Sequence, residues 1–296
     1  MLITPFLDYL GLEKKYSVHT VLAYKKDIQE FISFCEEEYA VTDVVHIEYK
    51  VIRSWVVYLS EKKISNRTIN RKIASLKAYY KFLQKVGDIK VSPLVKHRAL
   101  KVSKKIEVPF SEVEMEQMLS QITFNEGFEG VRDKLIIDVL YATGMRRAEL
   151  VNLKLSDLDL KQGVLRVLGK RKKERIIPLL SKTIKLFNVY LEERNTLTKI
   201  NDSEYLFLLK SGNKIYETFV YRIINGYFSK VSSKVKKSPH ILRHTFATHL
   251  LNKGADLNAV KELLGHSSLA STQVYTHNGI EELKKVHSKA HPRGKK

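Results

Sequence analysis

Only six prolines interrupt the 296 residues, and none falls between Pro5 and Pro93. Proline ends or kinks a helix, so its absence over that interval leaves the chain open to long helices. The apolar pattern there has helical spacing. Ser17 opens a segment in which Val21, Ile28, Phe31, Ile32 and Cys35 recur on one side, and a second segment centres on Val51, Trp55 and Leu59. A third, TINRKIASLKAYYKFLQK, places Ile69, Ile73, Leu76, Tyr80 and Leu83 on one face and Arg71, Lys72, Lys77 and Lys81 on the other. These patterns predict a helical domain over residues 1–92.

The stretch from Ser92 to Pro109 differs. It is bounded by prolines, lacks an acid before Glu107, and includes Lys101, Lys104 and Lys105. That composition predicts a basic linker over residues 93–109 rather than a helix. Extended, it reaches about 55 Å, at roughly 3.3–3.6 Å per residue, enough for two domains to take hold of a partner from opposite sides. A second domain, residues 110–296, begins at Ser111 and Glu114, which match a capping box. A helix through VRDKLIIDVLYAT breaks at Gly144, and VLRVLGKRKKERIIPL reads as two strands around a basic turn. Helical patterns resume near Lys182, over Phe219 to Val231, and from Pro239. The expected fold class is mainly α: a helical amino-terminal domain, then an α-rich domain with a small β-sheet.

Lysine and arginine number 52 against 32 acids, a net charge of +20. Such an excess points to a polyanion, most simply nucleic acid, ahead of an anionic membrane surface. No apolar run reaches membrane-spanning length, and the start MLITPFLDYLGLEKKY does not read as a secretory signal. The single cysteine, Cys35, excludes an intrachain disulfide or a cysteine metal cage and reads as a core thiol. A cytoplasmic location is expected.

The chemistry-bearing residues cluster late. Ser238 and Pro239 signal a helix start, which puts His240 and Arg243 in or near its first turn, three apart. Helix amino ends attract anions and a guanidinium grips phosphate as a fork, although a basic chain also produces such a pair by chance. A metal pair of His240 and His244 lacks the carboxylate of a zinc helix and has Arg243 beside it, while His249 is expected on the helix's opposite side. Arg146 and Arg147 follow Gly144 as an anion site or as a solvated corner. Lys170 shares its turn with Arg171, Lys172 and Lys173, any of which suits a hairpin tip. His266 leaves a helix ending at Gly265, where histidine commonly caps carbonyls. Tyr275 is one of 15 tyrosines, whose default role is packing.

In combination these segments resemble the tyrosine recombinases of the Xer type, within the phage integrase family. ATGMRRAEL resembles the box carrying the family's first catalytic arginine, and HILRHTFATHLL with LLGHSSLASTQVYTH resembles the second box almost residue for residue. SVHTVLAYKKDIQEFISF and NRKIASLKAYYKFL resemble the helical core-binding domain. The resemblance implies that Arg146 and Arg243 clamp a scissile DNA phosphate, with Lys170, His240 and His266 completing the site and Tyr275 as nucleophile. Arg147 stands where the family usually has a small or aliphatic residue; Arg146 is assigned because it follows Gly144 and Met145 and precedes Glu149 by three. The resemblance further implies a reaction without cofactor or metal and a homo- or hetero-tetramer on two double-stranded DNA sites. Its C-terminal segment, with Ile280, Leu283 and Val286 as a stripe, would dock on a neighbour, and a DNA translocase is a candidate activator. Arg71, Lys72, Lys77, Lys81, Lys101, Lys104 and Lys105 are the expected phosphate contacts. Chromosome dimer resolution is one role for such a chain. A mobile-element integrase of the same chemistry and a non-catalytic architectural DNA binder are the alternatives.

Overall fold

The computed structural model describes residues 3–103, 107–169, 174–234, 237–265 and 277–294, with backbone alone at 277–280 and 282. The chain divides into two compact units, Met1–Lys105 and Ile106–Lys296.

In the first unit, α1 (Ile3–Asp8) runs into a wider turn at Tyr9–Glu13, followed by α2 (Val18–Tyr39), α3 (Tyr49–Glu61) and α4 (Asn66–Val86). Serines start two of them: the Ser17 and Ser65 hydroxyls accept the backbone N–H groups of Thr20 and Thr68. Ile28, Phe31, Cys35, Trp55, Ile69, Leu76, Tyr80 and Leu83 form the core. Burial pushes the Cys35 thiol up to about 12, so it behaves as an apolar side chain rather than a nucleophile.

The basic face of α4 is narrower than its sequence suggests. Lys72 is only 6% exposed and pairs with Glu30 and Asp27, while Arg71 Nη2 donates to Asp27 Oδ1 at 2.9 Å. Asp27 is itself buried on α2 and also accepts from the Ser75 hydroxyl at 2.7 Å. A buried carboxylate needs cationic partners, and Lys72, at the border of the apolar stripe, is drawn inward to supply one. Lys72 is therefore committed to the fold, whereas Arg71, though paired with Asp27, stays exposed along with Lys77 and Lys81.

The first unit also extends beyond residue 92. Leu94 is in its core, and Asn70 exchanges hydrogen bonds with the backbone of Leu100, both at 2.9 Å. Asn66 donates to the Lys101 carbonyl at 2.9 Å. The start of the expected linker is therefore fastened to the helices by side-chain amides, which basic composition does not disclose. Lys101 itself is exposed, and Lys104 and Lys105 lie outside the described residues.

The second unit opens with α5 (Glu112–Glu116), where both halves of the capping box form: Glu114 N–H to Ser111 Oγ and Ser111 N–H to Glu114 Oε2. Helix α6 (Phe128–Thr143) is central, with Leu135, Ile136, Ile137, Val139 and Leu140 all inaccessible to solvent. After α7 (Arg147–Val151) comes an antiparallel sheet in the order β1 (Leu158–Asp159), β2 (Val164–Leu168), β3 (Glu174–Pro178). The short β1 was not among the two expected strands. Then follow α8 (Ser181–Asn195), α9 (Glu217–Phe228), α10 (Pro239–Asn252), α11 (Leu257–Leu264) and α12 (His277–Ala290). Helices α8 and α10 pack on α6.

Helix α12 lies on its own unit. Leu283 joins this unit's core, Val286 is half-buried, and the Ile280 side chain lies outside the described residues. His287 Nε2 donates to the Ala142 carbonyl at 2.7 Å and His291 Nε2 to the Tyr141 carbonyl at 3.3 Å. His291 Nδ1 accepts the Arg293 N–H at 3.1 Å, which fits a neutral ring. His249 Nδ1 on α10 meets the Tyr141 hydroxyl at 2.9 Å. Burial holds His287 down to about 4 and His291 to about 3. The folded rings stay neutral while unfolded ones take protons below about 6.5, so stability falls as pH drops from there towards 4. Melting temperature measured over that range should decline, with a shallower slope in His287→Gln; equal slopes would contradict the assignment.

Candidate active site

Gly144 ends α6 in the left-handed region (φ 60°), and the chain re-enters a helix at Arg146 with extended backbone. Glu149, one turn into α7, reaches back to this start. Its Oε2 accepts the Arg146 N–H and its Oε1 accepts Arg146 Nη1, both at 2.8 Å. Arg146 thus enters the site half-exposed with its guanidinium held on one edge. Arg147 points elsewhere: its Nε donates to Glu217 on α9 at 2.9 Å. A surface pair of this kind contributes about 0–1 kcal/mol, so Arg147→Ala should alter cleavage by no more than about fivefold. Single-turnover cleavage rates test this, and a loss matching Arg146→Ala would reverse the assignment.

Arg243, on α10, is 7% exposed. Its Nη1 donates to the Gly144 carbonyl and its Nη2 to the Leu264 carbonyl, both at 2.8 Å. These acceptors sit at helix ends, where carbonyls lack intrahelical partners and the helix dipole favours a cation. Helix α11 is fixed at its other end by Asp256, which accepts the N–H groups of Asn258 and Ala259. Burial, then the neighbouring Arg146, lowers Arg243 to about 10; Glu149 opposes and Arg175 adds to the shift. It remains charged at neutral pH. His240 is exposed on the first turn of the same helix, one turn before Arg243. Ser238 stands at the N-cap without a side-chain capping bond, so Pro239 carries the start signal alone.

A third guanidinium was missed in sequence. Arg175 on β3 is 4% exposed and forks onto Glu149, Nη1 to Oε1 at 3.1 Å and Nη2 to Oε2 at 2.8 Å. Its Nε donates to the Leu263 carbonyl at 2.9 Å. Within GKRKKER it was one cation among many, but strand alternation offered a signal. Arg175 and Ile177 share the inward face of β3, where a cation is rare. Burial alone would raise the Glu149 carboxyl, but hydrogen bonds and charge from Arg175, and then bonds from Arg146, outweigh it and hold it below the usual range. Three guanidiniums around one carboxylate leave an excess of positive charge. Forked donors with unspent charge suit the non-bridging oxygens of a phosphodiester.

Lys170, His266 and Tyr275 lie outside the described residues. By connectivity Lys170 belongs to the segment between β2 and β3, and His266 directly follows Gly265. Among the described residues no group of three His, Cys, Asp or Glu could hold a metal ion, and no helix is long and apolar enough to cross a membrane.

Two family models match the chain: the phage integrase family over residues 110–282, and the phage integrase N-terminal SAM-like domain over residues 3–87. A tyrosine recombinase XerC of Chlorobaculum parvum is 36% identical over 315 residues, covering 98% of this chain and 94% of the relative. One from Leptospira interrogans is 40% identical over 293 residues, covering 98% and 93%. Among solved structures, a XerH site-specific recombinase bound to palindromic difH substrate superposes with a TM-score of 0.68 at 24% identity, covering 91% of this chain and 78% of that one. The last likeness concerns the fold.

Proposed function

We propose that this chain, which belongs to the phage integrase family and is a site-specific tyrosine recombinase, cuts and rejoins double-stranded DNA through a 3′-phosphotyrosine on Tyr275. The observation that carries the reading is the joint placement of Arg146 and Arg243: one is held by Glu149, the other by two helix-end carbonyls, and the Arg146 charge is close enough to act on Arg243. The Tyr275 phenol attacks phosphorus, the bond to the 5′-oxygen breaks, and a free 5′-hydroxyl leaves. Forming phenolate at pH 7 costs about 4 kcal/mol from a reference pKa near 10. His240 accepts that proton, and the cations lower the cost further. Arg146 and Arg243 bind the charge gathering on the non-bridging oxygens of the transition state, where fixed donors are worth most. His266 adds a hydrogen bond there, and Lys170 protonates the departing 5′-oxygen. The covalent ester conserves the broken bond's energy, so a 5′-hydroxyl from another strand reverses the step and strands are exchanged.

Exposed Lys77, Lys81 and Lys101 supply phosphate contacts, together with Lys104 and Lys105. Such contacts set register and make affinity fall with salt, while sequence is read by other groups. The working assembly in this reading is a cytoplasmic tetramer on two DNA sites. Relatives carrying the Xer name over nearly their whole length favour chromosome dimer resolution as its role. The test is incubation with nicked duplex carrying its site, selected from genomic fragments by retention on the protein, in EDTA. A covalent adduct mapping to Tyr275 by mass spectrometry is expected. Specific binding without adduct would favour an architectural protein, and cleavage only on adding metal would favour a nuclease.

A further inference from the structure

We infer that Arg175 is a positioning residue for strand cleavage, bracing Arg146 through Glu149 and the end of α11 through the Leu263 carbonyl. The inference rests on the reading of the site given above and goes beyond it by adding a residue outside the clamp. Arg175 occupies an inward register position on β3, paired across the sheet with Val167 and two residues from buried Ile177. An apolar side chain there would pack without desolvating a charge, so cohesion of the sheet alone gives no reason for a guanidinium. What the guanidinium supplies is geometry. Its fork takes both oxygens of Glu149 and so fixes the plane of the carboxylate. The same carboxylate then holds the backbone N–H and Nη1 of Arg146.

On its other edge, Arg175 Nε takes the Leu263 carbonyl, next to the Leu264 carbonyl that holds Arg243. Contact with the end of α11 is close: a Cβ on Gly265 would meet Arg175 Cδ at 3.1 Å and Nη1 at 3.2 Å. One buried guanidinium therefore ties together three segments. They are strand β3, which follows the segment containing Lys170 in sequence, the start of α7 with Arg146, and the end of α11, which His266 follows in sequence. A displacement of about 1 Å among reacting groups costs on the order of 10²-fold in rate, so a brace at this junction acts on the chemical step.

The experiment compares wild type with Arg175→Lys, Arg175→Gln, Glu149→Gln and the Arg175→Gln/Glu149→Gln double variant. Single-turnover adduct formation on nicked duplex is read beside duplex affinity, at a temperature where thermal melting shows each protein folded. The expected result is adduct formation slower by about 10²-fold in both Arg175 variants, the lysine lacking the fork, with affinity changed by less than about threefold. Because Arg175 acts on Arg146 through Glu149, the double variant should be little slower than the slower single one. Wild-type rates in Arg175→Lys, a rate loss matched by lost affinity, or rate losses that multiply in the double variant would each overturn the inference. So would failure of both Arg175 variants to fold, which would reduce the residue to a stability role. If wild type itself forms no adduct, the cleavage reading falls instead, which is a distinguishable result.

Discussion

Arg243→Ala is expected to slow covalent adduct formation by about 10³-fold, the scale of removing one preorganised donor or an arginine finger from a transition state. Two effects combine. The phosphate loses a forked cation, and the carbonyls of Gly144 and Leu264 lose the donor that sets the spacing between the ends of α6 and α11. Arg243→Lys recovers little, because one ammonium cannot span both carbonyls and still face a phosphate. In the same assay Tyr275→Phe gives no adduct, since it removes the attacking oxygen and leaves the cations in place. Both variants should keep DNA affinity within about an order of magnitude, as a single contact among many phosphate contacts contributes modestly. Measured rates of adduct formation on nicked duplex decide the matter. An Arg243→Ala protein that cleaves within tenfold of wild type would remove Arg243 from the clamp.

Gly144→Ala should lower unfolding stability by about 2–6 kcal/mol, read from denaturant melts. A φ of 60° costs an L-residue about 1–3 kcal/mol, and the added Cβ would sit 2.3 Å from Cδ1 of the Phe246 ring, with overpacking costing about 1–3 kcal/mol more. Phe246 cannot easily yield, being fully buried with its ring about 6 Å from those of His287 and His291. The Gly144 carbonyl is also an anchor of Arg243, so any Gly144→Ala protein that folds should cleave more slowly as well. A change below 1 kcal/mol would show that the α6–α7 corner relaxes freely.

Features set by local periodicity were legible in the sequence. The apolar stripe of α4, the α5 capping box and the break at Gly144 each depend on residues within a turn or two of one another. Features set by distant partners were not. Lys72 sits on the border between the two faces of α4, and only the acids Asp27 and Glu30 on another helix decide which way it turns. Leu100 reads as linker until Asn70 takes its backbone. The candidate site divides in the same way. Arg146, His240 and Arg243 stand out through family motifs. Arg175 is defined by partners 26 and 88 residues away, and basic neighbours hide it in the sequence. The histidines on α10, on α12 and just after it meet α6 across 108 to 150 residues, a convergence that spacing does not encode.

The fastening of α12 bears on how the protein is prepared in the laboratory. Arg293, just past α12, forms an ion pair with the buried Asp138 of α6, so the far end of α12 is held beside an interior charge. Truncation before His287 would strip the donors from the Ala142 and Tyr141 carbonyls and expose Phe246. A shortened clone that still accumulates in cells is a poor proxy for the intact enzyme.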